Sequence, residues 1–207
     1  MSEQPIKTYP TISCCGLDCG LCPRYYTKGS SRCPGCCGPD FFNKHPSCSY
    51  ITCCVKKKNL EVCAQCDEFP CLKFGSSHIN GGKYDSFITY KKAHHNLNFI
   101  RTHSLEKFIE QQKDRIKLLE KMLKYFDDGR SKSYYCIVTT LLSIKDLEKG
   151  LDKTTQKIRA ENIELNDVKT KAKILKEFLN DLASRKRIEL KLRKKAQINT
   201  NQKTLKS

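Results

Sequence analysis

A cysteine-rich N-terminal third followed by a mainly α-helical remainder is the fold class this sequence predicts, and three observations carry it. Thirteen of the fourteen cysteines fall between Cys14 and Cys71, and Cys136 stands apart. Three pairs, Cys19 with Cys22, Cys33 with Cys36 and Cys63 with Cys66, have the two-residue gap that lets neighbouring thiolates close on one metal ion. After residue 103 the apolar residues recur every three or four positions, the period of an amphipathic helix. Together they predict a small metal-stapled domain of short helices and knuckles at 14–74, then a mainly helical domain at 104–195. An extended lead-in (1–13), a connector (75–103) and a basic, disordered tail (196–207) complete the expected organisation.

The chain of 207 residues has room for one sizeable domain or two small ones. Its opening, MSEQPIKTYPTIS, lacks the apolar core of a secretory signal, and no apolar run reaches bilayer-spanning length. A cytoplasmic chain with no membrane partner is the expectation. In a reducing cytosol, closely spaced cysteines are metal ligands more often than disulfide partners; a disulfide framework in an exported chain is the competing reading. The net charge of +17 is unevenly placed, since residues 1–74 carry nine Lys or Arg against six Asp or Glu, which leaves +14 for the rest. Two zinc ions, each with four thiolates, would take the first part from +3 to about −1.

In chain order, Cys15-Gly-Leu-Asp-Cys19-Gly-Leu-Cys22-Pro23 has gaps of three and two between cysteines. Enzymes that hold a four-iron cluster and cleave S-adenosylmethionine share that spacing, but the alternating strands and helices of their barrel do not follow here. Cys33-Pro-Gly-Cys36 is a knuckle whose Pro and Gly suit a backbone turning about a metal. Cys48-Ser-Tyr-Ile-Thr-Cys53 opens a short helix ending near Asn59, and Cys63-Ala-Gln-Cys66-Asp-Glu-Phe-Pro-Cys71 closes the region. Cys14, Cys37 and Cys54, each beside another cysteine, are read as bystanders, and His45 as a loop histidine. Lys56, Lys57 and Lys58 are either a solvated basic turn or neighbours of an anionic metal-thiolate centre.

CGLDCGLCP, CPGC, CSYITC and especially NLEVCAQCDEFPC resemble, in that order, a cysteine-rich prokaryotic family of domains of unknown function, number thirty-seven ninety-five. The likeness covers about residues 14–74 and extends less specifically to DGRSKSYYC. It implies a compact metal-binding domain, with zinc, and no catalytic residue. Matched position by position, it supports Cys15, Cys19, Cys22, Cys33, Cys36, Cys48, Cys53, Cys63, Cys66 and Cys71 as ligands. Ten exceeds the eight that two four-cysteine zinc sites use. An iron-sulfur cluster, taking four thiolates and leaving others, is the alternative cofactor.

Further on, a helix is expected within 85–100, and His94 and His95 are read as surface or packing residues. Ser104 caps a long helix with an apolar stripe from Leu105 to Phe126, read as a core face, with a homodimer seam as the sharper alternative. Residues 131–142 are read as helix, although their β-branched run suits a strand, and 188–193 alternate with period two. If both are strands they form a short two-stranded sheet. Ser143 with Asp146, and Asn166-Asp167, open two more helices, and Cys136 is a buried core thiol.

No Ser-His-Asp set, Gly-rich phosphate loop or H-E-x-x-H helix is present, so the chain is read as a non-enzyme. The leading expectation is a zinc-holding binding or regulatory module for an unidentified protein partner. The alternatives are an iron-sulfur or thiol redox protein, and a nucleic-acid binder acting through the basic tail, which lacks stacking aromatics.

Overall fold

The computed structural model describes residues 6–74 and 84–194. Seven α-helices are present among the described residues: α1 (Phe41–Lys44), α2 (Ser49–Ile51), α3 (Ala93–Thr102), α4 (Leu105–Tyr125), α5 (Lys132–Leu141), α6 (Ile144–Ala160) and α7 (Val168–Arg185). A π-helical stretch, Thr52–Lys57, continues α2, and no strand occurs among the described residues. No helix there is long and apolar enough to cross a membrane. The tail from residue 196 and the Gly81-Gly82 break of the connector lie outside the described residues.

The long helices start where side chains satisfy their free N–H groups. Ser104 Oγ accepts from Lys107 N–H at 3.2 Å, Ser143 and Asp146 cap each other's backbone, and Asp167 Oδ1 accepts from Thr170 N–H at 3.0 Å. Helix α4 ends before the turn at 127–131, where Asp127 accepts from Gly129 and Ser131 N–H, and Gly129 takes φ +85.

Residues 134–140 are helical, and 188–193 have no regular structure, so the alternative two-stranded sheet is absent. Helix α5 is buried from Tyr135 to Leu141, because it packs centrally in the helical bundle. A helix buried on every side shows no face for a period to reveal. Its β-branched threonines are accommodated by bonding back one turn, Thr139 Oγ1 to Tyr135 O (2.7 Å) and Thr140 Oγ1 to Cys136 O (2.8 Å). Cys136 is 1% exposed and sits in this core.

The helix expected within 85–100 begins only at Ala93. Asp85 Oδ1 accepts from Tyr90 N–H at 2.8 Å and Asp85 Oδ2 from Arg193 N–H at 2.7 Å, which holds 85–90 in a turn against the last described residues. The Asp85 side chain is fully buried and Arg193 Nη2 donates to it at 2.7 Å. These hydrogen bonds outweigh burial and keep its carboxyl below the ordinary value of 3.8. Its contribution is therefore present above the unfolded-state value and is lost as pH falls through the lower folded-state value. Asp85→Asn is expected to destabilise the protein by roughly 3 kcal/mol and to flatten that acid limb, read by urea unfolding between pH 7 and 3.

Two apolar cores join the cysteine-rich segment to the helices. Leu21 inserts among Leu119, Met122, Tyr135, Leu147, Leu175 and Leu179. Ile12, Val62, Phe69 and Phe74 pack on Leu97 and Ile100 of α3 and Leu105, Phe108 and Ile109 of α4. The α4 stripe is thus covered within the chain. A third, smaller cluster is largely thiol: Cys14, Cys36, Cys37 and Cys54 with Phe41, Ile51 and Val55. The cysteine-rich segment therefore borrows most of its hydrocarbon burial from the helices.

Candidate metal centre

Two of the C-x-x-C pairs fold alike. Cys19–Leu21 and Cys63–Gln65 each form a single 3-10 turn, closed by Cys22 N–H on Cys19 O and Cys66 N–H on Cys63 O, both at 3.1 Å. Side chains three apart eclipse in such a turn, so local geometry alone brings the paired thiols to one side. The C-P-G-C knuckle is fixed differently: Gly35 has φ +87, and a Cβ there would lie 2.3 Å from Pro10 O. Glycine lets this knuckle close on the lead-in, where Cys36 N–H donates to Pro10 O at 2.8 Å. Gly16, also at φ +87, brings the first motif against Ala93 O of α3.

The ten expected ligands divide six and four. Cys15, Cys19, Cys22, Cys33, Cys36 and Cys48 line one cavity of about 390 Å³. Cys53, Cys63, Cys66 and Cys71 line a second, of about 30 Å³. Cys48, the extended residue before α2, lines the large cavity, and Cys53, in the π-helical stretch after it, lines the small one, so this segment serves both. The extra cysteines set aside at the sequence level lie between and around these spaces. Cys14 lines the large cavity with its sulfur 3.9 Å from that of Cys36, Cys54 lines the small one, and Cys37 is completely buried behind Cys36. Their sequence signal is that all three belong to adjacent pairs, Cys14-Cys15, Cys36-Cys37 and Cys53-Cys54, whose side chains must diverge. His45 also reaches the large cavity, with Nε2 3.3 Å from Cys33 Sγ.

Four sulfurs bound to one tetrahedral zinc stand about 3.8 Å apart, from bonds of about 2.3 Å. Among the described residues no group of three or more His, Cys, Asp or Glu side chains is disposed to hold a metal ion. The helical remainder is as expected, while the staple itself is not shown: the thiols are gathered in two sets, without a three-ligand group of single-ion geometry among the described residues. The small cavity matches one ion in size, whereas the large one exceeds it many times over.

Burial is the largest influence on Cys15, Cys19 and Cys22. It pushes Cys15 up to about 11 and, with Cys36, Cys15 and Cys22 nearby, drives Cys19 well above its ordinary value. The contact with Cys14 pushes Cys36 up to about 11, and burial raises Cys22, with Cys33 adding to it. Without a cation these groups are neutral at pH 7; a bound metal ion reverses that balance by holding the thiolates.

Cations already stand at the site. Lys7 is 4% exposed, donates to Ile12 O, and among the described residues has no carboxylate within 4.0 Å. Its charge acts on Cys14, Cys19, Cys36 and Cys54 in the direction that favours thiolate. Arg24 lines the large cavity, and its Nε is the one buried side-chain nitrogen or oxygen among the described residues without a hydrogen-bond partner. At the small cavity, Lys58 Nζ donates to Cys66 Sγ at 3.1 Å and to Glu68 at 2.7 Å, and Arg101 donates to Cys66 O at 2.8 Å. Of the three neighbouring lysines, Lys58 is thus the one that meets a thiol.

No family model matches this chain, and no curated protein or solved structure is significantly similar to it.

Proposed function

We propose that this chain is a metal-binding module, with one zinc ion held by Cys53, Cys63, Cys66 and Cys71 and a polynuclear metal-thiolate centre held by the six-cysteine set. The observation that carries it is the division itself. Cysteines drawn from segments spread over some sixty positions converge as four on a space of about 30 Å³ and as six on one of about 390 Å³. Four is the ligand number of a structural zinc. Six around a larger space suits a centre of more than one metal atom, and Cys14 and His45 stand beside it. Such a centre is anionic, which accounts for the buried charge of Lys7 and the unmatched N–H of Arg24 beside it. Metal binding would fasten the cysteine-rich segment to the helices, and the chain then acts as a binding or regulatory module for a protein partner rather than as a catalyst.

The size of the large cavity also favours a second reading, in which that centre is an iron-sulfur cluster and the chain a redox protein. Four of the six cysteines would hold the iron, since such clusters take four thiolates.

Elemental analysis with an absorption spectrum on protein purified without oxygen tests both. Zinc at about two or more ions per chain with no visible absorption is the expected outcome. Iron with a broad band near about 400 nm assigns the large cavity to the redox reading. A chain that folds cooperatively and binds neither metal overturns the proposal.

A further inference from the structure

A separate cavity of about 70 Å³ lies between α3, α4 and the turn that carries Asp18, and it shares no lining residue with the cysteine-lined spaces. Three of its lining residues are basic, Lys92, His95 and Arg115, and one is acidic, Asp18. The neutral polar groups are mostly committed. Asn96 Nδ2 donates to Gly16 O at 2.9 Å, Gln112 Nε2 to Asp18 Oδ1 at 2.6 Å, and Thr140 Oγ1 to Cys136 O at 2.8 Å.

The cationic groups are not. Arg115 uses Nη1 alone, on the carbonyls of Thr139 and Leu142 that end α5. Among the described residues its Nε and Nη2 have no hydrogen-bond partner, and neither do the Lys92 ammonium and the His95 ring. Partial burial lowers the His95 pKa, and Lys92 and Arg115 lower it further, as expected for cations gathered with no anion between them. Asp18 makes no ion pair within 4.0 Å with Lys92, His95 or Arg115, and its Oδ1 is taken by Gln112 Nε2 at 2.6 Å. Phe99 and Phe108, 6.4 Å apart, form an apolar wall on the same cavity.

We propose that this cavity binds a small tetrahedral oxyanion, a phosphate or the phosphate group of a phosphomonoester, through Arg115, Lys92 and His95. The guanidinium presents N–H groups in the fork geometry that suits phosphate oxygens, the Lys92 ammonium just before α3 adds charge, and the His95 ring of α3 adds an N–H donor. The space of about 70 Å³ accommodates one phosphate group.

The test is calorimetric titration of the full chain with inorganic phosphate and, separately, phenyl phosphate, at constant ionic strength set with chloride. Saturable binding of either ligand is expected. A Lys92→Gln/His95→Gln variant, which leaves the Arg115 contacts to α5 intact, should bind on the order of tenfold more weakly or worse. Lys92→Gln alone is the fallback if the double variant fails to fold. Tighter binding of phenyl phosphate assigns the phosphomonoester and the Phe99–Phe108 wall; equal binding assigns free phosphate. No saturable heat with either ligand, or equal affinity in variant and parent, overturns the proposal.

Discussion

Cys63→Ser/Cys66→Ser protein is expected to lose the zinc proposed for the small cavity and the ordered structure of residues 6–74, while the bundle formed by α4 to α7 persists. A structural zinc on four thiolates supplies apparent free energies of about 10–16 kcal/mol at neutral pH. Entire domains are stable by only about 5–15 kcal/mol. The segment has little to set against that loss, because its own cluster is largely thiol and its hydrocarbon burial depends on the helices. The 63–66 turn is also a junction. Cys63 N–H donates to Cys14 O at 3.0 Å, and Arg101 of α3 reaches Ala64 O and Cys66 O. Metal per chain and hydrogen exchange resolved along the sequence read the result. Cys136→Ser is the control, since Cys136 lies in the helical core and should leave the metal count unchanged. A double variant with full metal and unchanged protection of residues 6–74 would remove the small cavity from the account.

Lys7→Met is expected to move metal-free and metal-loaded protein in opposite directions. In the metal-free chain Lys7 is a buried cation with one carbonyl acceptor and, among the described residues, no carboxylate, so replacing it by hydrocarbon of similar length removes an unpaired buried charge and stabilises. In the loaded chain the same ammonium faces thiolates, and its loss leaves their negative charge less balanced, costing on the order of tenfold in metal affinity for about 1.4 kcal/mol. Urea unfolding with and without a chelator, and metal competition with a coloured chelator, measure the two halves. A variant destabilised in both states would mean that Lys7 serves packing alone and has no part in balancing thiolate charge.

Lys7 illustrates what the sequence conceals. A lysine six residues from the N-terminus reads as a solvated charge, and nothing in its neighbours signals burial. It is buried because Lys7 N–H pairs with Cys37 O at 3.0 Å and Thr8 and Tyr9 N–H with the Glu61 carboxylate, contacts thirty to fifty positions away. The same holds for Cys14, Cys37 and Cys54. Adjacency argued that neighbours do not share a site, yet it left open that the other cysteine of each pair faces another wall of the same cluster.

Local spacing determined the features whose physics is local. Two cysteines three positions apart eclipse in one 3-10 turn, so the pairs at 19–22 and 63–66 were legible from their gaps. Side chains that accept from N–H groups three residues on started the helices at Ser104, Ser143 and Asp167, where the sequence placed them. Tertiary structure alone decided which pairs meet, because bringing Cys48 beside Cys15 depends on loop closure and on the hydrocarbon offered by α3 and α4. It also decided that the β-branched run of α5 is helical, since burial on every side erases the period by which sequence distinguishes helix from strand.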